Sequence, residues 1–365
     1  MTIQSPCGNN ATCRLAAVAA ALSMLVPVAA APPTTHPAVR HAEFLNERAP
    51  YPQCHASTIA EAAPGRLVAA WFGGSREGAP DVGIWLTRFA SGAWSEAIEV
   101  ANGVQPDGTR HPTWNPVLFS PSKNFLVLFY KVGPSPSAWW GMMKISQDGG
   151  QTWGEATRLP APFLGPIKNK PVVLADGTWL SPSSTEGTPT GWRAHFEWSR
   201  DGGRTWQFIG PIEKGPSMLE AIQPSILFHR DGRLQALART RNGVLATTWS
   251  ADQGRTWSAL APSGLPNPNS GTDAITLKDG RHLLVYNHSA PPADTPTRGL
   301  RYPLNVAMSA DGVQWKMAVT LEDQPMPSGY AYPSVIQTAD GLVHITYTWN
   351  RERIKHVTLD PRTIE

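Results

Sequence analysis

The chain is poor in cysteine, in charge and in long apolar runs, and each shortage excludes a class. Three cysteines among 365 residues, Cys7, Cys13 and Cys54, are too few to staple a protein of this size, so a packed core must hold it. Charged residues are 16 % of the chain, 31 Lys+Arg against 28 Asp+Glu, for a net charge of +3. No dense basic block occurs, which argues against a dedicated nucleic-acid binder. Hydrophobic residues at 41 % set the chain apart from disordered sequences, whose low hydrophobicity and lopsided charge prevent a core. Beyond the first thirty residues no segment is apolar over the ~20 residues that a membrane-spanning helix needs. Turn formers are plentiful instead: 32 Gly and 35 Pro, with 15 Trp. Helical periodicity is scarce beside them, and the combination predicts an all-β protein.

Arg14, an apolar stretch from Leu15 to Val26 and the small residues Val28, Ala29 and Ala30 have the pattern of a secretory signal peptide. Residues 1–30 are therefore expected to direct export, to the periplasm or the medium. Their removal would take Cys7 and Cys13 and leave Cys54 without a partner for an intrachain disulfide. The Pro-rich start of residues 31–53 reads as an extended lead-in. Residues 54–365 are expected to form a single domain.

That body repeats itself. Ser146-Gln-Asp148-Gly-Gly150-Gln-Thr152-Trp153 recurs from Ser199 to Trp206 and from Ser250 to Trp257, with a shortened copy from Ser309 to Trp315. Arg88 to Trp94 is a candidate decayed first copy. Spacings of 53, 51 and 59 residues between the starts indicate propeller blades or solenoid units. In each copy Ser and Asp can satisfy turn amides, Gly can take positive φ, and Trp can pack beneath the hairpin. A second mark, Asp-Gly at 176, 231, 279 and 340, sits between β-branched runs as hairpin turns do. Val172–Leu174 with Trp179–Leu180, and Ala274–Leu277 with His282–Tyr286, are expected strand pairs. Six four-stranded blades of roughly fifty residues fill the body, a size that propellers use; a seventh would need the N-terminal segment.

These hairpins resemble the Asp-boxes, or BNR repeats, of the sialidase superfamily, and the resemblance runs through nearly the whole body. It implies a six-bladed sialidase-like β-propeller. It also implies a pocket in which arginines hold a sugar carboxylate beside a tyrosine nucleophile and an acid/base aspartate. Arg76 and Asp81, in Gly73-Gly-Ser-Arg-Glu-Gly-Ala-Pro-Asp81, match an Arg and the Asp of that pattern. Arg239, after the Asp231-Gly232 turn, matches the second carboxylate-binding arginine. Arg301, eight residues before Ser309, matches the third, and Tyr332, eight residues before Asp340, matches the nucleophile. Three positions depart together. Cys54-His55-Ala56 stands where the first arginine belongs. Gln223 replaces the glutamate that activates the tyrosine, and Thr348 replaces the glutamate that supports the first arginine.

A tyrosine with an ordinary pKa of ~10 needs a base to act near neutrality, and Gln223 cannot take its proton. Arginines can still clasp a carboxylate, which acidifies the C5 hydrogen of a uronate, and a His or Tyr base could remove it. His55, His111, Tyr332, Arg239 and Arg301 are similar in kind to the residues of propeller-shaped uronate lyases, notably rhamnose–glucuronate lyases. The expected catalytic groups are therefore His55, Tyr332, His111 and Asp81. Arg76, Arg239, Arg301, Gln223, Lys170 and Asp273 are the expected substrate-binding groups. Lys170 and Asp273 come from polar clusters at strand entrances, where propeller binding loops lie. Trp71, Trp114, Trp139, Trp140, Trp192 and Trp349 lie outside the repeats and are either sugar platforms or core. No metal-ligand spacing occurs, so no cofactor is expected, with a structural Ca²⁺ left open. The expected partner is an anionic oligosaccharide or polysaccharide bound by a monomer, with β-elimination preferred. A sialidase-like exo-hydrolase and a non-catalytic glycan-binding propeller are the alternatives.

Overall fold

A computed structural model describes residues 36–187 and 191–364. The expected export segment, residues 1–30, lies outside them. Strands dominate, and six antiparallel sheets follow one another along the chain. In five of the sheets neighbouring strands are hydrogen-bonded in chain order, so those blades are meanders, the first with one additional strand, while the last blade takes its outer strand from the start of the chain. Among the described residues no helix is long and apolar enough to cross a membrane.

The first strands of the blades line the axis: Gln53–Ala63, Thr113–Ser122, Val172–Val173, Ala221–Phe228, Asp273–Thr276 and Tyr330–Gln337. They bond to each other across blade boundaries. Leu118 N donates to Thr58 Oγ1 (3.0 Å), Phe228 N to Thr276 Oγ1 (2.9 Å) and Val335 N to Asp273 Oδ2 (2.9 Å). Apolar faces fill the wedges between blades. Ala70, Phe72, Ile84 and Leu86 of the first pack with Leu118, Leu126, Leu128 and Tyr130 of the second. Each such side chain is worth about 1.5–3 kcal/mol once buried.

The expected strand pairs form, with Val172 opposite Leu180 and Ala274 opposite Leu284. The four repeats join third to fourth strands, and the Asp-Gly turns join first to second. Strand direction alternates, so both families of turns lie at one end of the ring. In the first full repeat Ser146 Oγ donates to Asp148 Oδ1 (2.7 Å) and accepts from Gly150 N (2.8 Å). Asp148 also takes the hydroxyl of Thr152 (2.6 Å). These hydrogen bonds hold its carboxyl below the ordinary carboxylate range. The repeats are therefore turn staples. The lead-in differs from expectation: Val39–Phe44 is the outer strand of the last blade, pairing Val39 with Leu359 and Phe44 with Lys355. The last blade thus draws strands from both ends of the chain, so the propeller begins before Cys54.

Candidate functional site

Strand starts and second-to-third connections crowd the end of the ring opposite the repeats. There, four first strands are interrupted by a register shift near their third or fourth residue. The residue at each shift has a left-handed backbone: Ala56 (φ 57°), Asn115 (39°), Gln223 (57°) and Tyr332 (52°). Such conformations cost a non-glycine residue on the order of 1–3 kcal/mol, and they collect where surrounding structure enforces a function. Bulges re-aim side chains.

Tyr332 is the partly exposed centre of this floor. Arg239 Nη1 donates to its hydroxyl (2.7 Å) and to Gln223 Oε1 (3.2 Å), while Gln223 Nε2 reaches the hydroxyl at 3.5 Å. Asn269 Oδ1 braces Arg239 from the far side, accepting from Nε (3.2 Å) and Nη2 (2.7 Å). The guanidinium carbons of Arg239 and Arg301 lie 5.6 and 5.8 Å from the centre of the Tyr332 ring. Burial, with Arg239 and Arg351 alongside, pushes Arg301 down to about 10. Gly271 leaves room for the ring, since a Cβ there would stand 3.2 Å from Tyr332 Cδ2.

His55 lies beside Tyr332, ring centres 4.3 Å apart, and is 1 % exposed. Its Nδ1 shares a hydrogen bond with Thr348 Oγ1 (2.9 Å), while Nε2 is buried without a partner among the described residues. Burial first, then Arg351, Arg301, Arg239 and Lys168, drive its pKa well below the usual imidazole value, so it is neutral. The departures at 55 and 348 are thus in contact. A neutral pair stands where the resemblance placed a guanidinium and a carboxylate. Lys168 plugs the hub below, donating to Asn169 Oδ1 (2.7 Å) and Thr272 O (3.0 Å), and burial pushes it down to about 7.

Arg351 was not singled out by sequence, because Arg351-Glu-Arg353 looks like an ordinary charged hairpin tip. Its guanidinium joins Arg239 and Arg301 near His55 and pairs with Glu77. Two arginines therefore flank Tyr332, and a third stands beside Arg301 and His55. Arg76 is exposed on the crevice that Cys54, His55, Glu77 and Arg351 also line. Cys54 is buried and its thiol pushed up to about 12, so it is inert.

Other expected residues lie elsewhere or are already occupied. Asp81 is exposed and accepts from Ser75 N and Oγ (both 2.8 Å); despite slight burial, these bonds hold it ionised. Lys170 and Asp273 pair with each other (2.6 Å), and Asp273 bonds Ser225 and Val335 in the hub. Lys170 borders the opening at the repeat end of the axis, not the arginine cluster. His111 packs edge-on to Trp140 (5.5 Å), beside a cavity between the first two blades. Trp71 is fully buried and Trp114 nearly so, while Trp192 lies over Arg239 (5.0 Å) and Arg241 (4.2 Å). Among the described residues no three His, Cys, Asp or Glu side chains gather as metal ligands.

Comparison with known proteins agrees with the fold. The sequence model described as the BNR repeat-like domain matches residues 65–345. A protein named anhydrosialidase from Macrobdella decora is 23 % identical over 239 residues, which are 58 % of this chain and 30 % of that protein. The chain thus spans about a third of that curated relative. A structure of unknown function from Dyadobacter fermentans superposes with a TM-score of 0.71 at 16 % identity, over 89 % of this chain and 100 % of that one. A Hadza microbial sialidase gives 0.71 at 17 % identity, over 86 % and 66 %. At these identities the likeness establishes the sialidase-like propeller and nothing finer.

Proposed function

The chain belongs to the BNR repeat-like family, and from that premise we propose that it is an exported carbohydrate-active enzyme. It cleaves a terminal linkage at an acidic sugar, preferably by β-elimination from a uronate. The observation that carries the reading is the pair Arg239 and Arg301 flanking Tyr332, Arg239 on its hydroxyl and Arg301 over its ring, with Arg351 beside Arg301 and His55. Planar guanidiniums suit a carboxylate, and three of them neutralise it as negative charge spreads from C5 into the carboxyl group. Tyr332 is the partly exposed group of this floor that acts at C5. Arg239, donating to its oxygen, compensates the charge that oxygen carries as a base. Gln223 cannot receive the tyrosine proton, so in either route Tyr332 loses it to solvent, beside the Arg239 guanidinium that compensates the resulting charge. His55 is buried against the ring and neutral, so it positions Tyr332.

In the step proposed, Tyr332, its own proton first given up to solvent beside the Arg239 guanidinium, takes the C5 proton. The C5–H electron pair becomes the C4–C5 double bond, and the C4–O4 bond breaks as O4 gains a proton. No water enters. Incubation with uronate-bearing oligosaccharides should therefore yield two products whose masses sum to the substrate's. One should carry the ultraviolet absorbance of an unsaturated uronate. Products heavier by one water, without that absorbance, would overturn elimination. They would support the second reading, a sialidase-like exo-hydrolase, which the Tyr332–Arg239 contact also suits. Binding without turnover across the panel would leave a glycan-binding propeller.

A further inference from the structure

We infer that Asn269 is a positioning residue: it commits Arg239 to the Tyr332 hydroxyl and thereby leaves the two-pronged grip on the substrate's carboxylate to Arg301. The inference rests on the acidic-sugar reading above and holds for elimination or hydrolysis.

A guanidinium has five N–H groups, and a bidentate clasp of a carboxylate takes two that lie along one edge. Arg239 is 6 % exposed and has spent four of them. Nε and one hydrogen of Nη2 go to Asn269 Oδ1 (3.2 and 2.7 Å), which fills one edge. Both hydrogens of Nη1 go to the floor, to the Tyr332 hydroxyl (2.7 Å) and Gln223 Oε1 (3.2 Å). One N–H of Nη2 remains, enough for a single bond and not for a fork. The guanidinium carbon also lies 5.0 Å over the Trp192 ring and 5.6 Å over the Tyr332 ring.

Asn269 is itself fixed. Its backbone is left-handed (φ 60°), a conformation that asparagine tolerates better than most residues. Its Nδ2 donates to Thr297 O (2.7 Å), which turns the amide oxygen towards Arg239. Asn267 ties the loop, its side chain accepting from Ser270 N (3.2 Å) and donating to Ser270 O (3.0 Å). Arg239 therefore meets an acceptor already in place and stays on the tyrosine before any substrate arrives.

Arg301 has the opposite surroundings. Among the described residues no acceptor takes a hydrogen bond from its guanidinium, which lies 5.8 Å over the Tyr332 ring with Arg239 and Arg351 as repelling neighbours. A largely buried cation with its fork unclaimed suits a planar carboxylate, and that anion also relieves the repulsion among the guanidiniums.

Calorimetric titration with glucuronate tests both halves. Lys keeps the charge of Arg and loses its fork, so Arg301→Lys should weaken binding by about tenfold or more, whereas Arg239→Lys should move Kd by less than about threefold. Asn269→Gly keeps the left-handed backbone and frees one edge of Arg239, so glucuronate should bind about threefold or more tighter. On a uronate substrate the same variant should lose kcat by about 10–100-fold, because the tyrosine loses its fixed partner. In an Arg239→Lys background Asn269→Gly should add nothing to either effect. A residue that only held the loop would weaken binding in both backgrounds. Equal losses for Arg239→Lys and Arg301→Lys overturn the assignment of the grip. Glucuronate binding by Asn269→Gly that is unchanged or weaker overturns the positioning role. Wild type that binds no glucuronate defeats the acidic-sugar reading, and the division between the two arginines falls with it.

Discussion

If a neutral His55–Thr348 pair has replaced a buried ion pair, restoring one member alone should be costly and restoring both should not. His55→Arg would place a permanent charge where the imidazole is 1 % exposed. Arg239 and Arg301 lie 5.6 and 5.8 Å from the Tyr332 ring centre, which is 4.3 Å from the imidazole. Both guanidiniums are therefore within about 10 Å of position 55, where each repels a unit charge by ~1.7 kcal/mol at an effective dielectric of about 20. Together they cost ~3 kcal/mol before desolvation is counted, and Lys168, pushed down to about 7, adds less at neutral pH. Melting temperature should drop by roughly 4–5 °C. A carboxylate at 348 would sit in contact, since Nδ1 and Oγ1 are now 2.9 Å apart. At ~4 Å it returns ~4 kcal/mol. Thermal unfolding of His55→Arg, Thr348→Glu and the double variant forms a complete cycle. The double variant should recover most of the loss. A single His55→Arg protein that melts within a degree or two of the parent, or a Thr348→Glu effect independent of residue 55, would refute the reasoning.

Two further outcomes follow from the same geometry. Arg351→Gln should weaken binding of glucuronate by about 10–150-fold, the worth of charge-assisted bonds of about 1.5–3 kcal/mol. Binding of neutral sugars should not change, and because the Arg351–Glu77 pair is partly exposed, stability should move by less than ~1 kcal/mol; an unchanged calorimetric Kd for glucuronate would contradict a third carboxylate ligand. Acid should destabilise the ring through histidines kept neutral by burial. His282 and His344 are each pushed down to about 4, with His229 and His356 adding repulsion. Unfolded imidazoles protonate near their ordinary pKa of ~6.5, so the stability from the neutral forms is complete above that pH and is lost as pH falls towards 4. Glu43 is held at about 2 because hydrogen bonds from His356 and Trp94 outweigh its burial, so its share is lost only below about 4.5. Urea midpoints at constant ionic strength that stay level from pH 6.5 to 4 would count against this account.

The blades were legible because each is a local event. A Ser-Asp-Gly-Thr-Trp staple and an Asp-Gly turn satisfy their own amides within a few residues, so their chemistry is visible in any short window. Arg239, Arg301, Tyr332 and Gln223 could be placed by their distance from those staples, and the structure brings all four together. Asp81, His111, Lys170 and Asp273 had the right residue types in loops and strand entrances. Residue type does not say whether a partner nearby, such as Ser75 for Asp81, has already claimed the side chain.

By itself, the sequence determined the strand-and-turn alphabet, four repeats of it at a spacing that leaves room for six blades, and the shortage of thiols and charge that leaves a buried core as the only support. Only the tertiary structure decided that Val39–Phe44 closes the ring, that Arg351 supplies a third guanidinium, and that His55 and Thr348 form one neutral pair. The reason is separation along the chain: Val39 meets Leu359, and His55 meets Thr348, across almost the full length of the propeller. Contacts of that kind exist only once the ring has closed, and no local pattern encodes which two distant residues will share a wall.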